Sequence, residues 1–228
     1  MIEIFAHRGL HRSERENTVE GFRGAVELGV DGVELDVRRT RDGVLVVNHD
    51  PAIEGLVIAR STRSSLPSYV ATLAEAMAVL EGVKVNVEIK NIRGPHEPTY
   101  DASGAFVQQV LEELGPLGRS DSLIISCFDE ATCAKVRSLD PTIDVGWLLW
   151  GIDMSSALLR AESLGLNAVH PHFSSLNRAA MDQARNLGID VNVWTVNEPE
   201  QITRVAELGV SSIISDDPGL VRSLLGPR

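Results

Sequence analysis

The sequence predicts a (β/α)8 TIM barrel, in which eight parallel strands are each followed by a helix, and three observations support this α/β fold class. Eight short runs rich in valine and isoleucine are spread along the 228 residues, as is typical of parallel strands that are buried on both faces. Amphipathic stretches separate the runs, and the length suits one barrel. A doubly wound open sheet is the alternative, but no G-x-G-x-x-G follows the first run, which weakens its dinucleotide-binding version.

The predicted strands are short and follow one another along the whole chain. They cover Ile2–Ala6, Gly32–Val37, Val83–Ile89, Ser122–Cys127, Val145–Leu149, Ala168–His170, Val191–Thr195 and Ser212–Ser215. Amphipathic helices are expected between them, most clearly at Thr18–Leu28, Asp182–Leu187 and Glu198–Leu208. A glycine directly follows each of these three, which suits a helix C-cap and marks where the next strand can begin.

A ninth apolar run, Val44–Val47, does not fit the simple alternation. It follows Asp42-Gly43, and Asp-Gly between apolar runs is a signal for a β-hairpin. We therefore expect strand two to overshoot the barrel, turn and come back, so that His49 lies opposite Asp36 or nearly so. The stretch 51–72 is then a short insertion over the barrel mouth, and residues 1–228 form a single domain.

Composition and charge limit the function classes. The formal net charge is −11 and aromatic residues are only 4% of the chain, so nucleic acid and anionic membranes are unfavourable partners. The chain has no apolar run long enough to span a membrane and no signal-like start, so a cytoplasmic protein without stable membrane association is expected. Cys127 and Cys133 are predicted to be reduced thiols. The oligomeric state stays open.

Three carboxylates are predicted at one rim of the barrel. Glu34 and Asp36 are two residues apart in a strand, so both side chains lie on the same face, and Glu88 occupies a comparable position on the next barrel strand. Together they form an oxygen-rich site for a hard divalent cation, Mg²⁺ or Ca²⁺. The alternative is a structural network of ion pairs with Arg8 or Lys90, which each carboxylate taken alone would favour.

Two histidines are predicted near the same rim. His7 ends the first strand and His49 is returned by the hairpin. Two imidazoles beside a cation suit phosphoryl chemistry, since one can remove a proton from the attacking oxygen while the other protonates the leaving oxygen. Arg8 and Lys90 could neutralise the phosphate oxygens. Sequence reasoning does not say which histidine is the acid and which the base.

These motifs together resemble the glycerophosphodiester phosphodiesterase family over residues 4 to about 220. The matching segments are His7-Arg8-Gly9, Glu16-Asn17-Thr18, Glu34-Leu35-Asp36-Val37, His49-Asp50, Glu88-Ile89-Lys90, Ser126-Cys127-Phe128 and Val193-Trp194-Thr195-Val196-Asn197. The resemblance implies a TIM barrel and metal-dependent hydrolysis of small glycerophosphodiesters to glycerol 3-phosphate and an alcohol. It also implies His7 and His49 as acid and base and Glu34, Asp36 and Glu88 as metal ligands. Arg8, Lys90, Phe128 and Trp194 would then contact the substrate.

The chain departs from the family pattern at two places. Arg15 stands where the family usually has proline, and only 37 residues, 51–87, separate Asp50 from Glu88, where the family carries a longer insertion. Substrate size is therefore open. One alternative is a phospholipase D-like relative acting on lysophospholipid or sphingolipid head groups, which would need an apolar surface loop such as Ile53–Ala59. A phosphate-binding barrel without activity is a third hypothesis, which a missing histidine or carboxylate would favour. No motif assigns a role to His11, His96, His170 or His172. His170 and His172 end the sixth strand at the rim, where a structural or peripheral role is favoured over a contact with the leaving group.

Overall fold

Strands and helices alternate throughout the structure, a computed structural model that describes residues 1–12, 14–94, 97, 99–117 and 122–226. His96 lies outside the described residues. The strands are β1 (Glu3–Ala6), β2 (Gly32–Arg39), β3 (Leu45–Val47), β4 (Ala52–Ile53), β5 (Leu56–Val57), β6 (Lys84–Ile89), β7 (Leu123–Cys127), β8 (Asp144–Leu149), β9 (Ala168–Pro171), β10 (Asp190–Val193) and β11 (Ser212–Ser215). The α-helices are α1 (Val19–Leu28), α2 (Leu73–Val79), α3 (Ala105–Leu114), α4 (Glu130–Leu139), α5 (Met154–Ser163), α6 (Arg178–Leu187), α7 (Pro199–Leu208) and α8 (Pro218–Leu225).

Eight parallel strands close into a barrel. The order around it is β1, β11, β10, β9, β8, β7, β6 and β2, and β1 pairs with β2 to complete the circle. A helix follows each barrel strand before the next one begins, so the predicted (β/α)8 fold is confirmed and the open sheet is excluded. The carboxyl ends of all eight strands therefore meet at one mouth, where barrels of this kind carry their functional residues.

The two faces of the barrel strands differ in chemistry. Outward side chains such as Val33, Leu35 and Val87 pack with the helices into one continuous apolar core. The lumen is unusually polar for such a barrel, with buried side chains that include Asn86, Ser126, His170, Asn192 and Ser212. The His170 imidazole fills the space beside Gly146, where any Cβ would overlap the ring.

Side-chain caps set the beginnings of most helices. Thr18 caps α1 through the backbone N–H of Gly21, and Thr72 forms a capping box with Glu75 at α2. Asn177 accepts the N–H of Ala180, so α6 begins four residues before the predicted Asp182. None of the helices in the described part of the chain combines the length and apolar character that a membrane span requires.

The predicted hairpin is present as β2 and the antiparallel β3. Its register pairs Val37 with Val47 and turns around Asp42. The residue opposite Asp36 is Asn48, whose N–H donates to the Asp36 carbonyl at 2.9 Å, so His49 lies one position beyond the expected pairing. Gly43 adopts a left-handed backbone at φ 82°, and this turn conformation sets the register.

The segment after the hairpin folds against β3. It contains the short β4–β5 ribbon, and Ile58, Leu66 and Val70 form a separate small core with Val46. The Arg15 guanidinium lies 4.2 Å from the Tyr69 ring centroid and links this segment to the loop after β1. A cover over the mouth by residues 51–72, and a single domain over residues 1–228, stay predictions.

Candidate active site

The barrel mouth holds a cavity of about 190 Å³. Eight of the nine predicted site residues line it, and the ninth, Asp36, is fully buried beside Lys90. A larger hollow of about 610 Å³ beside the hairpin shares Lys90 but contains neither predicted histidine nor any predicted metal ligand. The smaller cavity is therefore the candidate site. Its lining residues are His7, Arg8, Glu34, His49, Asn86, Glu88, Lys90, Phe128, Leu148, Trp194 and Ile214.

The three predicted carboxylates form one cluster. Strands β2 and β6 pair in a register that sets Asp36 opposite Glu88, and one oxygen of each carboxylate lies within 4.8 Å of the others. Burial and the neighbouring Asp36 and Glu88 raise the pKa of Glu34 well above its ordinary value. Asp36 Oδ1 accepts no hydrogen bond from any residue that the structure describes. Three carboxylates in close contact, with one Asp36 oxygen that has an ion-pair contact but no hydrogen bond within the described residues, fit a divalent cation held by this cluster.

Two cationic side chains balance part of this charge. Lys90 Nζ lies 2.7 Å from Glu88 Oε1 and 3.3 Å from Asp36 Oδ1, and Arg8 Nε lies 3.4 Å from Asp36 Oδ2. Burial alone would raise the pKa of Asp36, but Lys90 and Arg8 outweigh it and hold that pKa well below its usual range. Burial likewise opposes the charge of Lys90, yet Glu88 and Asp36 raise its pKa, so the ammonium stays protonated. The ion pairs considered as an alternative therefore coexist with the carboxylate cluster.

A strained loop after β1 presents Arg8 to the cluster. Arg8 and Asn17 both have positive φ, 57° and 56°, a conformation that residues with a Cβ rarely adopt. In this conformation the Arg8 backbone N–H donates to Glu34 Oε2 at 3.0 Å, and Asn17 Nδ2 donates to Asp36 Oδ2 at 2.8 Å. Arg8 Nη1, at another edge of the guanidinium, lies 3.0 Å from Glu16 Oε2. The loop is thus fixed by the same carboxylates that it helps to orient.

His7 is held by an aspartate that sequence reasoning missed. Its Nδ1 lies 2.6 Å from Asp216 Oδ1, and His11 Nε2 approaches the same oxygen at 3.2 Å. Asn197 Nδ2 donates to the other Asp216 oxygen at 2.6 Å. Burial opposes ionisation, but the hydrogen bonds from both histidines hold the pKa of Asp216 well below its usual value. The signal was available, because Asp216 directly follows the eighth barrel strand, where this fold carries its functional residues.

His49 has a comparable arrangement on the opposite side of the cluster. Its Nδ1 lies 2.8 Å from Asp50 Oδ1, and its carbonyl accepts a 2.9 Å hydrogen bond from Arg38 Nε. A carboxylate can only accept, so in both histidines Nδ1 carries a proton, and Nε2 is the ring atom that can gain or lose one. His7 Nε2 lies 3.9 Å from Glu34 Oε2, at the edge of the carboxylate cluster. Each ring can therefore exchange a proton with a bound substrate through its Nε2 atom.

Aromatic rings form the other side of the mouth. Phe128 and Trp194 meet edge to face with centroids 5.5 Å apart, and Trp194 Nε1 donates to the His170 carbonyl at 2.6 Å. Trp150 and His172, to which sequence reasoning assigned no function, continue this surface outward. His170 itself is fully buried and accepts from Asn192 Nδ2 at 2.9 Å, which fits the structural role favoured for it. Burial lowers its pKa to about 3.

A sequence model of the glycerophosphoryl diester phosphodiesterase family matches residues 7–220. The chain belongs to this family. It is therefore a hydrolase of the glycerophosphodiester phosphodiesterase class, and the resemblance drawn from its motifs is confirmed.

The chain is also similar to curated relatives and to solved structures that carry the same family name or a phosphodiesterase name. A glycerophosphodiester phosphodiesterase of Caldanaerobacter subterraneus is 28% identical over 97% of both chains. One of Bacillus subtilis is 25% identical over 96% of this chain and 85% of its own. A solved structure of a Thermotoga maritima glycerophosphodiester phosphodiesterase has a TM-score of 0.78 and 25% identity, and covers 96% of each chain. An Oleispira antarctica phosphodiesterase, solved with the product sn-glycerol-3-phosphate, has a TM-score of 0.87, 22% identity and coverage of 99% and 97%.

Proposed function

We propose that the protein hydrolyses glycerophosphodiesters to glycerol 3-phosphate and an alcohol, with a divalent cation and with His7 and His49 as the acid–base pair. The observation that supports this best is the pairing of each histidine with an aspartate at Nδ1, beside a shared cavity lined by Glu34 and Glu88. Family membership supports the substrate class, and the acidic chain makes a small anionic ester a better partner than nucleic acid.

The cation is assigned to Glu34, Asp36 and Glu88. Carboxylate oxygens favour Mg²⁺ or Ca²⁺ over softer metals, and the buried cluster carries more negative charge than Arg8 and Lys90 balance. When bound, such an ion neutralises phosphate oxygens as negative charge develops on them. Arg8 and Lys90 supplement this neutralisation from the protein side.

The histidines move the protons. One Nε2 removes the proton from the glycerol hydroxyl next to the ester, and that oxygen attacks phosphorus as the bond to the leaving alcohol breaks. The other imidazolium protonates the leaving oxygen. A tethered hydroxyl has the advantage of effective molarity over water, worth several kcal/mol. Water then opens the five-membered cyclic phosphate with the histidines in exchanged roles. The Ser126 hydroxyl near the end of β7 could in principle compete as a nucleophile, but it is fully buried.

Action on lysophospholipid or sphingolipid head groups is not supported by any specific feature. The apolar segment that this alternative requires, Ile53–Ala59, is partly folded inward, since Ile58 is buried in the small core with Val46. Leu56 is the exposed large apolar side chain of that segment, at 37%. A single half-exposed leucine offers little area for membrane contact.

The proposal is tested with a panel of glycerophosphodiesters, by measuring glycerol 3-phosphate release with Mg²⁺, Ca²⁺ or a chelator. We expect turnover of several head groups and its loss on chelation. A 2-deoxy analogue, which lacks the adjacent hydroxyl, should bind but be cleaved very slowly. Full activity after exhaustive chelation excludes the metal role, and rapid cleavage of the deoxy analogue excludes the cyclic route and leaves direct attack by water.

A further inference from the structure

Three aromatic rings pack together at the carboxyl ends of β8, β9 and β10. We refer to Trp150, His172 and Trp194 as the aromatic platform. The centroids of Trp150 and His172 are 4.5 Å apart, and each lies 5.7 Å from the centroid of Trp194. Trp150 is 63% exposed, which is unusual for a large indole and is typical of a surface that binds a ligand.

The platform is continuous with the cavity. Trp194 and Phe128 line the cavity, while Trp150 and His172 extend from Trp194 toward solvent. Because the charged groups on β1, β2 and β6 attract the phosphate, the remainder of a bound diester has to leave the cavity along another side. The exposed face of Trp150 lies where the alcohol portion of the substrate can reach it.

Two polar atoms of the platform are hydrogen-bonded within the protein. Trp194 Nε1 donates to the His170 carbonyl at 2.6 Å, and His172 Nδ1 is hydrogen-bonded to Ser174 Oγ at 2.7 Å. Burial lowers the pKa of His172, so its ring stays neutral at pH 7. The platform thus presents π faces without a positive charge. A primary ammonium has N–H donors that need hydrogen-bond acceptors, whereas a quaternary ammonium has none to satisfy.

We propose that the aromatic platform binds the quaternary ammonium of a choline-type alcohol, with Trp150 as the residue that determines head-group specificity. This inference rests on the proposed function, since it names the alcohol that the same site releases. The net charge of −11 also favours a cationic head group over an anionic one. The ligand class is therefore a glycerophosphodiester whose alcohol carries a trimethylammonium group.

The experiment compares glycerophosphocholine, glycerophosphoethanolamine and the uncharged 3,3-dimethylbutyl isostere of choline. We expect Trp150→Ala to raise KM for glycerophosphocholine about 3- to 30-fold, the range of a cation–π contact from exposed to desolvated. The kcat for that substrate and the KM for the other two should change less than about 2-fold. Trp150→Phe should restore most of the affinity. Leu159→Ala, at an exposed apolar residue of α5, is the control for a surface change and should alter none of these values.

A binding measurement keeps the test independent of turnover. By calorimetry, phosphocholine should bind more tightly than phosphoethanolamine, and Trp150→Ala should remove the difference. Equal effects of Trp150→Ala on all three diesters overturn the inference, as does equal affinity for the two phosphorylated alcohols. If glycerophosphoethanolamine is hydrolysed without any preference for choline, only this inference fails. If no diester is hydrolysed, the proposed function fails, and calorimetry still decides whether the platform binds quaternary ammonium.

Discussion

The two halves of the barrel mouth differ in how their side chains are satisfied. On β1, β2 and β6 the charged groups bind one another, as with Lys90 between Glu88 and Asp36, and most are buried. On β8, β9 and β10 the rings contact one another and remain partly open, with Trp150 mostly exposed. The charged half is fixed by many directional contacts, as proton transfer requires. The aromatic half has few directional contacts, so its side chains can adapt to different alcohols without disturbing the proton transfer.

The largest effect is expected from removing either histidine of the charged half. His7→Ala and His49→Ala should each lower kcat about 10²- to 10⁴-fold on an ordinary glycerophosphodiester. With a p-nitrophenyl leaving group, which needs no proton, activity should recover in only one of the two variants. That variant identifies the acid. Equal losses in both variants without any recovery would contradict the division into acid and base.

Neutralising Glu34 should separate activity from stability. Because burial and two neighbouring carboxylates raise the pKa of Glu34, Glu34→Gln removes repulsion and should raise the melting temperature of the metal-free protein. It should also lower kcat about 10³-fold, since a metal contributes several kcal/mol. Melting curves with and without Mg²⁺ check the stability, because a bound ion stabilises the wild type. Steady-state assays with Mg²⁺ check kcat. A drop in melting temperature together with activity would instead indicate a purely structural ion-pair network.

Asp216 should act through His7. In Asp216→Asn the amide can donate to Nδ1, which moves the ring proton to Nε2 and removes the lone pair through which His7 accepts a proton in one of the two steps. We expect kcat to fall about 10²-fold, with KM within about 2-fold and a changed pH profile of kcat. Asp217→Asn is the matched control, since Asp217 caps α8 and pairs with Arg12 at 2.8 Å. Because asparagine caps a helix about as well as aspartate, it should lower stability by no more than about 1 kcal/mol, through loss of the exposed ion pair with Arg12, and leave kcat unchanged. Equal kcat for both variants would remove Asp216 from the mechanism.

The smallest effect on activity is expected at His170, which is buried beside the aromatic half and changes the pH dependence of stability instead. His170 has a folded-state pKa of about 3, below its value of about 6.5 in the unfolded chain. The unfolded state therefore binds the extra proton, and the free energy of unfolding should fall as the pH drops from about 6.5 to about 3. The contribution is at most about 1.4 kcal/mol per pH unit. Urea unfolding at several pH values should show a flatter dependence for His170→Gln. An unchanged slope would contradict the assignment to His170.

The barrel was predictable because its strands can be recognised from their amino-acid composition. Apolar runs such as 145–149 lie within one or two residues of the strands observed, since the outward faces of the barrel strands pack in the apolar core. The first residues of helices were harder to predict from the sequence. At α6 the side-chain cap by Asn177 sets the beginning, whereas the apolar periodicity of the first turn is weak. His49 lies one position beyond the residue opposite Asp36, close to the pairing that the hairpin signal predicted, and the left-handed Gly43 lies in the turn between the two strands.

One rule, that functional residues lie at strand ends, selected eight of the nine predicted site residues, and the ninth, Phe128, came from the family resemblance alone. The same rule extended to β11 would have included Asp216, but Ser-Asp-Asp-Pro also reads as a helix cap, which Asp217 indeed provides. Trp150 was missed for a different reason. It stands before a glycine in a loop, and only the distances to His172 and Trp194 reveal that rings from three strands meet there.

The seam between the first and last strands has a consequence for synthesis of the chain. β1 pairs with β11, and the His7–Asp216 hydrogen bond joins residues 209 positions apart. All residues between them have to be synthesised before this hydrogen bond can form, and a segment still within the exit tunnel of the ribosome cannot pair. His7 therefore stays without its carboxylate until β11 has left the ribosome and the seam closes. Products of translation that terminate before Asp216 should accumulate without the oriented imidazole.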